Sequence, residues 1–234
     1  MLAVPAVLGS VAKDGRDPGD NDDRAGAGLY RFAVADGAAT SARPEIWAEI
    51  LVHAYVGEHV DPFETNELAA LREQWLREVV RPGLPWHATE KLKRGGAATF
   101  VGLDINLAAR RYRAVAVGDS CLLHLREARL VRAGPLGNWE LFDRFPPLVS
   151  TLAGDESFRT ALWRKEGAFE PGDVFILASD ALAKYLLRSH AQDQQVDMAP
   201  CTARTADLFA EWVTKARSQS GLDNDDTTIC VVTP

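Results

Sequence analysis

Cysteine is scarce in this chain. Three occur in 234 residues (Cys121, Cys201 and Cys230), and none belongs to a Cys-x-x-Cys pair. An odd, scattered set argues against a disulfide framework and fits a reducing compartment. Long apolar runs are missing too. The apolar start, Met1 to Ser10, is too short to span a bilayer and lacks a basic leader, and no later segment approaches about 18 uninterrupted apolar residues. Positive charge is in deficit: 26 Lys and Arg against 33 Asp and Glu leave a formal charge of −7. An extended nucleic-acid surface, which needs clustered Lys and Arg, is therefore not expected. Histidine is rare, with no His-Glu-x-x-His zinc pattern, and no Walker-type glycine loop is present. His53 and His59 stand six apart and do not share a ligand face. They and His124 read as structural.

What is present is ordinary globular material: 47% hydrophobic and 25% charged residues, long enough for one large domain or two small ones. Arg outnumbers Lys 20 to 6, which hints at a GC-rich bacterial genome. Apolar runs predict strands over Ala6–Ala12 and Leu29–Ala35, split by a polar loop from Lys13 to Gly28. Trp47, Ile50, Leu51, Ala54 and Tyr55 fall on one face of a helix, as do Leu68, Leu71, Trp75 and Val79 on a second that ends at Pro82. Meander spacing predicts strands over Ala98–Ile105, Tyr112–Val117, Leu122–Arg126 and Arg129–Arg132. A loop follows from Gly134 to Pro147. A strand over Val174–Ala178, helices over Ala181–Ser189 and Thr205–Arg217, and a last strand over Thr228–Val232 complete the pattern. Strands in groups and helices in groups favour an α+β fold.

The informative feature is where the acids fall. Asp36-Gly37 directly follows one predicted strand, Asp119 closes another, and Asp180 follows a third through Ser179. Asp225-Asp226 precedes the last strand, and Asn21-Asp22-Asp23 lies in the loop before the second. Taken singly, an Asp at such a place is usually a turn former or a helix cap. Converging carboxylates repel one another and become favourable only with divalent cations among them. Oxygen ligands without a His or Cys cluster select Mg²⁺ or Mn²⁺ over Zn²⁺.

In sequence order, Asn21-Asp22-Asp23, Phe32-Ala33-Val34-Ala35-Asp36-Gly37, Gly96-Ala97-Ala98-Thr99, Ala116-Val117-Gly118-Asp119-Ser120, the run from Gly172 to Asp180, and Asp225-Asp226-Thr227-Thr228 resemble the motif series of the type 2C metal-dependent (PPM) protein phosphatases. The resemblance runs from about Leu8 to Val232 and is nearest to a divergent bacterial subset. It implies one catalytic domain over residues 1–234, folded as a four-layer α-β-β-α sandwich of two antiparallel sheets, with a shortened flap-like segment around 134–160. It implies two divalent ions, Mg²⁺ or Mn²⁺. Asp36 would bridge both, Asp22 and the Gly37 carbonyl would hold one, and Asp180 and Asp225 would complete the other. Asp23 would reach a metal through water, and Asp119 matches the place of a third ion in some members. Asp36, Asp180 and Asp225 thus become the catalytic set. The implied reaction is hydrolysis of phosphoserine or phosphothreonine on a protein partner, in the cytoplasm, by water activated between ions roughly 3.5–4 Å apart. The resemblance implies neither a nucleic-acid nor a membrane partner.

The chain departs from the family pattern at several places. Asp22 stands where Glu is usual, retracting the carboxylate by about 1.5 Å, one C–C bond. Pro18 occupies the place of a phosphate-binding Arg, leaving Arg16 and Lys13 as the candidates. Ala181 replaces a glycine after Asp180, and no His aligns as a general acid. These changes keep a second reading open: a pseudophosphatase that binds a phosphoprotein or regulates without turnover. Gly118-Asp119-Ser120-Cys121-Leu122 also resembles the nucleophile block of the Gly-Asp-Ser-Leu esterases, but no Asp-x-x-His follows near the C-terminus. Cys121 to Arg126 falls one residue short of the Cys-x₅-Arg phosphate cradle.

Overall fold

The computed structural model describes residues 3–203 and 205–234. The chain opens with β1 (Ala6–Val11), β2 (Arg24–Ala27) and β3 (Arg31–Ala35), followed by helices α1 (Pro44–Val56), α2 (Thr65–Val79) and α3 (Trp86–Leu92). Its middle holds β4 (Ala97–Ala98), β5 (Phe100–Asn106), β6 (Arg111–Val117), β7 (Cys121–Arg126), β8 (Arg129–Gly134) and β9 (Val149–Ser150). The last third contains β10 (Trp163–Ala168), β11 (Val174–Ala178), α4 (Asp180–Asp193), α5 (Ala199–Thr202), α6 (Ala206–Gln219) and β12 (Thr227–Val232).

Two five-stranded antiparallel sheets form, ordered β1-β12-β11-β7-β8 and β10-β6-β5-β3-β2, and β4 pairs with β9 alone. Strand alternation assigns each side chain a layer. On β3, Phe32 and Val34 point between the sheets while Ala33 and Ala35 point at helices. On β12, Cys230 and Val232 point inward while Ile229 and Val231 face the other helical layer. Trp47 and Leu51 of α1, with Leu68 and Trp75 of α2, cover one sheet. Leu182 and Leu186 of α4, with Phe209 and Val213 of α6, cover the other. The result is the α-β-β-α sandwich that the family resemblance implies, within the α+β class that the grouped strands and helices predict. No helix among the described residues is long and apolar enough to cross a membrane.

Besides the two-residue β9, two strands lie where none is predicted. Arg24-Ala25-Gly26-Ala27 forms β2 inside the supposed loop, paired with β3 from Arg24 opposite Ala35 to Ala27 opposite Phe32. Trp163-Arg-Lys-Glu-Gly-Ala168 forms β10, paired with β6. Both are sheet edges, where one flank meets solvent and an apolar alternation is not required, so their composition reads as loop.

Strand direction positions the acids. β3 and β6 are each antiparallel to β5, so they end at the same rim, and β2, antiparallel to β3, begins there. In the second sheet β1 and β11 end, and β12 begins, together: Val11 lies opposite Thr227 and Ala178 opposite Ile229.

Candidate metal centre

The rim is built from backbone outward. Past Ala35 the Asp36 carbonyl accepts from Thr99 N–H (2.9 Å), and Ala38 N–H donates to the Ala97 carbonyl (2.9 Å). These bonds hold Asp36 at the mouth of the sandwich. Gly37 must be small: a Cβ there would sit 2.8 Å from the Asp22 carbonyl oxygen and 2.8 Å from Pro44. Gly118 turns the chain at φ +91°, and a Cβ there would press on Thr99 and the Pro147 carbonyl. That turn aims Asp119 at the rim. Asp180 is the first residue of α4, where the aligned peptide dipoles favour a carboxylate.

Asp23, Asp36, Asp119, Asp180 and Asp225 converge there, and electrostatics record it. The Asp36 carboxyl is pushed well above the ordinary carboxylate value, first by burial and then by the charges of Asp23, Asp180, Asp119 and Asp225. Asp23, 3% exposed, is raised to about 8 by burial, with Asp180 and Asp226 adding repulsion. Asp119, 4% exposed, rises to about 7, and Asp180 to about 6, again chiefly by burial. Neither Asp23 oxygen accepts a hydrogen bond of normal geometry, although nearby Ser179 and Thr228 hydroxyls offset part of the burial cost. Asp119 Oδ1 is likewise unpartnered.

Buried carboxylate oxygens without donors, crowded by like charge, are costly unless a cation joins them. The donor set is all oxygen, which suits a hard divalent ion. No group of three or more His, Cys, Asp or Glu side chains among the described residues is drawn together closely enough to grip an ion as it stands.

The Asp22 side chain is engaged by a base. Its Oδ2 accepts from Arg16 Nη1 at 3.0 Å, and its backbone N–H donates to Asp226 Oδ2 at 2.7 Å. Burial raises the Asp22 carboxyl while Arg16 draws it back. Lys13 Nζ lies 3.5 Å from Asp225 Oδ1, and Asp225 is itself more than half exposed. Both basic candidates for phosphate binding are therefore paired with acids of the proposed ligand set.

Several residues at the rim escaped the sequence reading. Asp226 is a fastener: its two oxygens accept the backbone N–H groups of Lys13 (2.8 Å) and Asp22 (2.7 Å). Arg217 on α6 ties three segments together, donating to the Ala12 carbonyl (3.0 Å), Asp14 Oδ1 (2.7 Å) and the Asp225 carbonyl (2.6 Å). A lone Arg in the last turn of an amphipathic helix carries no signal of this. Arg144 and Lys184 line a cavity of about 250 Å³ with Asp119, Asp180 and Asp225. Ser120 is no nucleophile: it is buried, with its hydroxyl 2.6 Å from that of Thr99. Cys121 and Cys230 are fully buried, and burial raises both thiols.

Compared by sequence, the chain matches no protein-family model, and no curated protein is significantly similar to it. Compared by structure, it matches PstP/Ppp, a serine/threonine phosphatase of Mycobacterium tuberculosis, at 17% identity and TM-score 0.65, over 99% of each chain. The catalytic domain of PstP in complex with two manganese ions matches at 17% identity and TM-score 0.63, over 100% of this chain and 99% of that one. PppA, described as a key regulatory component of the T6SS in Pseudomonas aeruginosa, matches at 21% identity and TM-score 0.62, over 98% and 97%. Along nearly its whole length, the chain has the fold of the PPM-type serine/threonine phosphatases.

Proposed function

We propose that the chain is a metal-dependent phosphatase acting on phosphoserine or phosphothreonine of a protein partner, in cytoplasmic signalling. The observation that carries this reading is the convergence of five aspartates at one rim, with buried oxygens that lack donors. Asp36 would serve two ions, Mg²⁺ or Mn²⁺, with Asp22 and the Gly37 carbonyl on one and Asp180 and Asp225 on the other. Asp23 would reach an ion through water, and Asp119 would hold a third ion. Such paired ions, when bound, supply an activated water and stabilise charge on the leaving oxygen. The chain's own part is to hold the carboxylates oriented, and to keep β3, β6, β11 and β12 in register so that the set stays together. We read residues 134–160 as a short flap beside the rim, within a single catalytic domain.

The second reading, a phosphoprotein-binding or regulatory module without turnover, draws on the Arg16–Asp22 pair, which engages one proposed ligand. Hydrolysis of p-nitrophenyl phosphate with Mn²⁺ separates the two. The phosphatase reading expects turnover that is lost in Asp36→Asn and Asp180→Asn. Mn²⁺ uptake without turnover supports the regulatory module, and calorimetry showing no uptake of Mn²⁺ or Mg²⁺ defeats both.

A further inference from the structure

A phosphomonoester brought to this rim is a dianion approaching a crowd of carboxylates. Cations held by those acids neutralise one side of it, and its outer oxygens then need a donor from the protein. The two basic residues in the loop that leads up to the first acids do not offer one freely. Arg16 is bound to Asp22, and Lys13 lies against Asp225. Lys184 also lines the cavity beside Asp119 and Asp180, but its Nζ is 2.7 Å from Asp223 Oδ2.

Arg144 differs. It lines the same cavity, and among the described residues its guanidinium has no carboxylate partner, resting only over the Phe145 ring at 5.9 Å. It is also positioned rather than loose. Trp139 and Phe142, just before it, are partly buried against the core beneath α4, the helix that begins at Asp180. The segment is thus anchored two residues before Arg144, while Phe145 beyond it is exposed. An anchored, exposed guanidinium in a cavity lined by five aspartates (Asp119, Asp143, Asp180, Asp223 and Asp225) would be electrostatically satisfied by pairing with one of them. It faces the cavity unpaired instead, which leaves its planar fork open to an oxyanion.

We propose that Arg144 is the residue that grips the substrate's phosphoryl oxygens, through charge-assisted hydrogen bonds from its guanidinium. The proposal rests on the phosphatase reading of the rim and adds the element that orients the phosphate there. It also assigns the substrate a stated chemistry: a phosphomonoester dianion on a segment able to enter an open cavity of about 250 Å³ between Phe142 and Asp180.

The test uses the full chain loaded with Mn²⁺, as parent, Arg144→Ala and Arg144→Lys. Three quantities are measured: KM and kcat for p-nitrophenyl phosphate, inhibition by inorganic phosphate, and direct calorimetric binding of inorganic phosphate. Loss of a charged hydrogen-bonding partner predicts that KM and the inorganic phosphate inhibition constant of Arg144→Ala rise together, by about ten- to a hundredfold. Mn²⁺ uptake and the melting temperature stay at parental values, because the side chain is exposed and outside the ligand set. Arg144→Lys recovers part of the affinity, since an ammonium keeps the charge but not the fork. Phosphate affinity of Arg144→Ala within twofold of the parent overturns the proposal. If the parent shows no turnover, the phosphatase reading fails separately and the calorimetry still decides on Arg144. Loss of phosphate binding in Arg144→Ala then supports its role, and unchanged binding, or none in the parent, overturns it.

Discussion

Replacing Asp119 by Asn in the metal-free protein tests the crowding at the rim directly. The amide keeps the shape and removes one carboxylate whose folded pKa is about 7 against an ordinary value of 3.8. Between those values the folded state holds a proton that the unfolded state has released. The stability carried by this group is therefore complete below about pH 3.8 and lost as pH rises through about 7. Integrating the proton difference gives a penalty of about 2 kcal/mol at pH 5 and about 4 kcal/mol at pH 7. Asp119→Asn escapes it, so its stability relative to the parent should improve by about 2 kcal/mol between pH 5 and pH 7. Urea unfolding in EDTA at the two pH values measures this, with the midpoint converted through the common slope. Adding Mn²⁺ at pH 7 should reverse the ranking, because the parent's carboxylate then gains a cation. A parent–variant difference that is the same at both pH values to within 0.5 kcal/mol, on the order of experimental scatter, would refute the argument that Asp119 is buried among like charges.

Two further outcomes follow from particular contacts. Arg16→Met removes the guanidinium that occupies Asp22, 3.0 Å away, so calorimetry should show Mn²⁺ affinity raised by about three- to tenfold, the order expected for releasing one part-exposed ion pair. Unchanged or weaker affinity would mean that Arg16 does not compete for that carboxylate. At the far end of the β11 sheet, Asp173 accepts from His124 Nε2 (2.8 Å) and from Arg126 Nε (2.8 Å) and Nη2 (2.9 Å), and these donors hold its carboxyl below the ordinary range. Asp173→Ala should cost about 3 kcal/mol or more in urea unfolding at pH 7, since it strands a buried His and a half-exposed Arg. A loss under 1 kcal/mol, the scale of an ordinary surface contact, would show the pair to be dispensable.

Much of the fold was legible because its signals are local. The runs at Phe32–Ala35, Val174–Ala178 and Thr228–Val232 are buried on both faces, so apolarity alone marks them as strands. The stripes of Trp47 and Leu51, or Leu68 and Trp75, mark the covering helices, and all four side chains are buried as periodicity predicts. β2 and β10 were illegible for the opposite reason. An edge strand is defined by its neighbour, and Arg24–Ala27 and Trp163–Ala168 have little apolar pattern of their own.

For the site, residue order marked out Asp36, Asp119, Asp180 and Asp225, because each stands beside a strand end that apolarity reveals. Whether those ends share a rim depends on strand direction and sheet order, which are properties of pairing between distant segments. The tertiary structure alone decided the neighbours of each carboxyl. Asp23 is buried in the cluster while adjacent Asp22 pairs with Arg16, and Asp226 fastens both ends of the β1–β2 loop while adjacent Asp225 stays at the surface. Side chains one residue apart point to opposite sides of an extended backbone, so a pair of consecutive aspartates names the chemistry but not which member performs it.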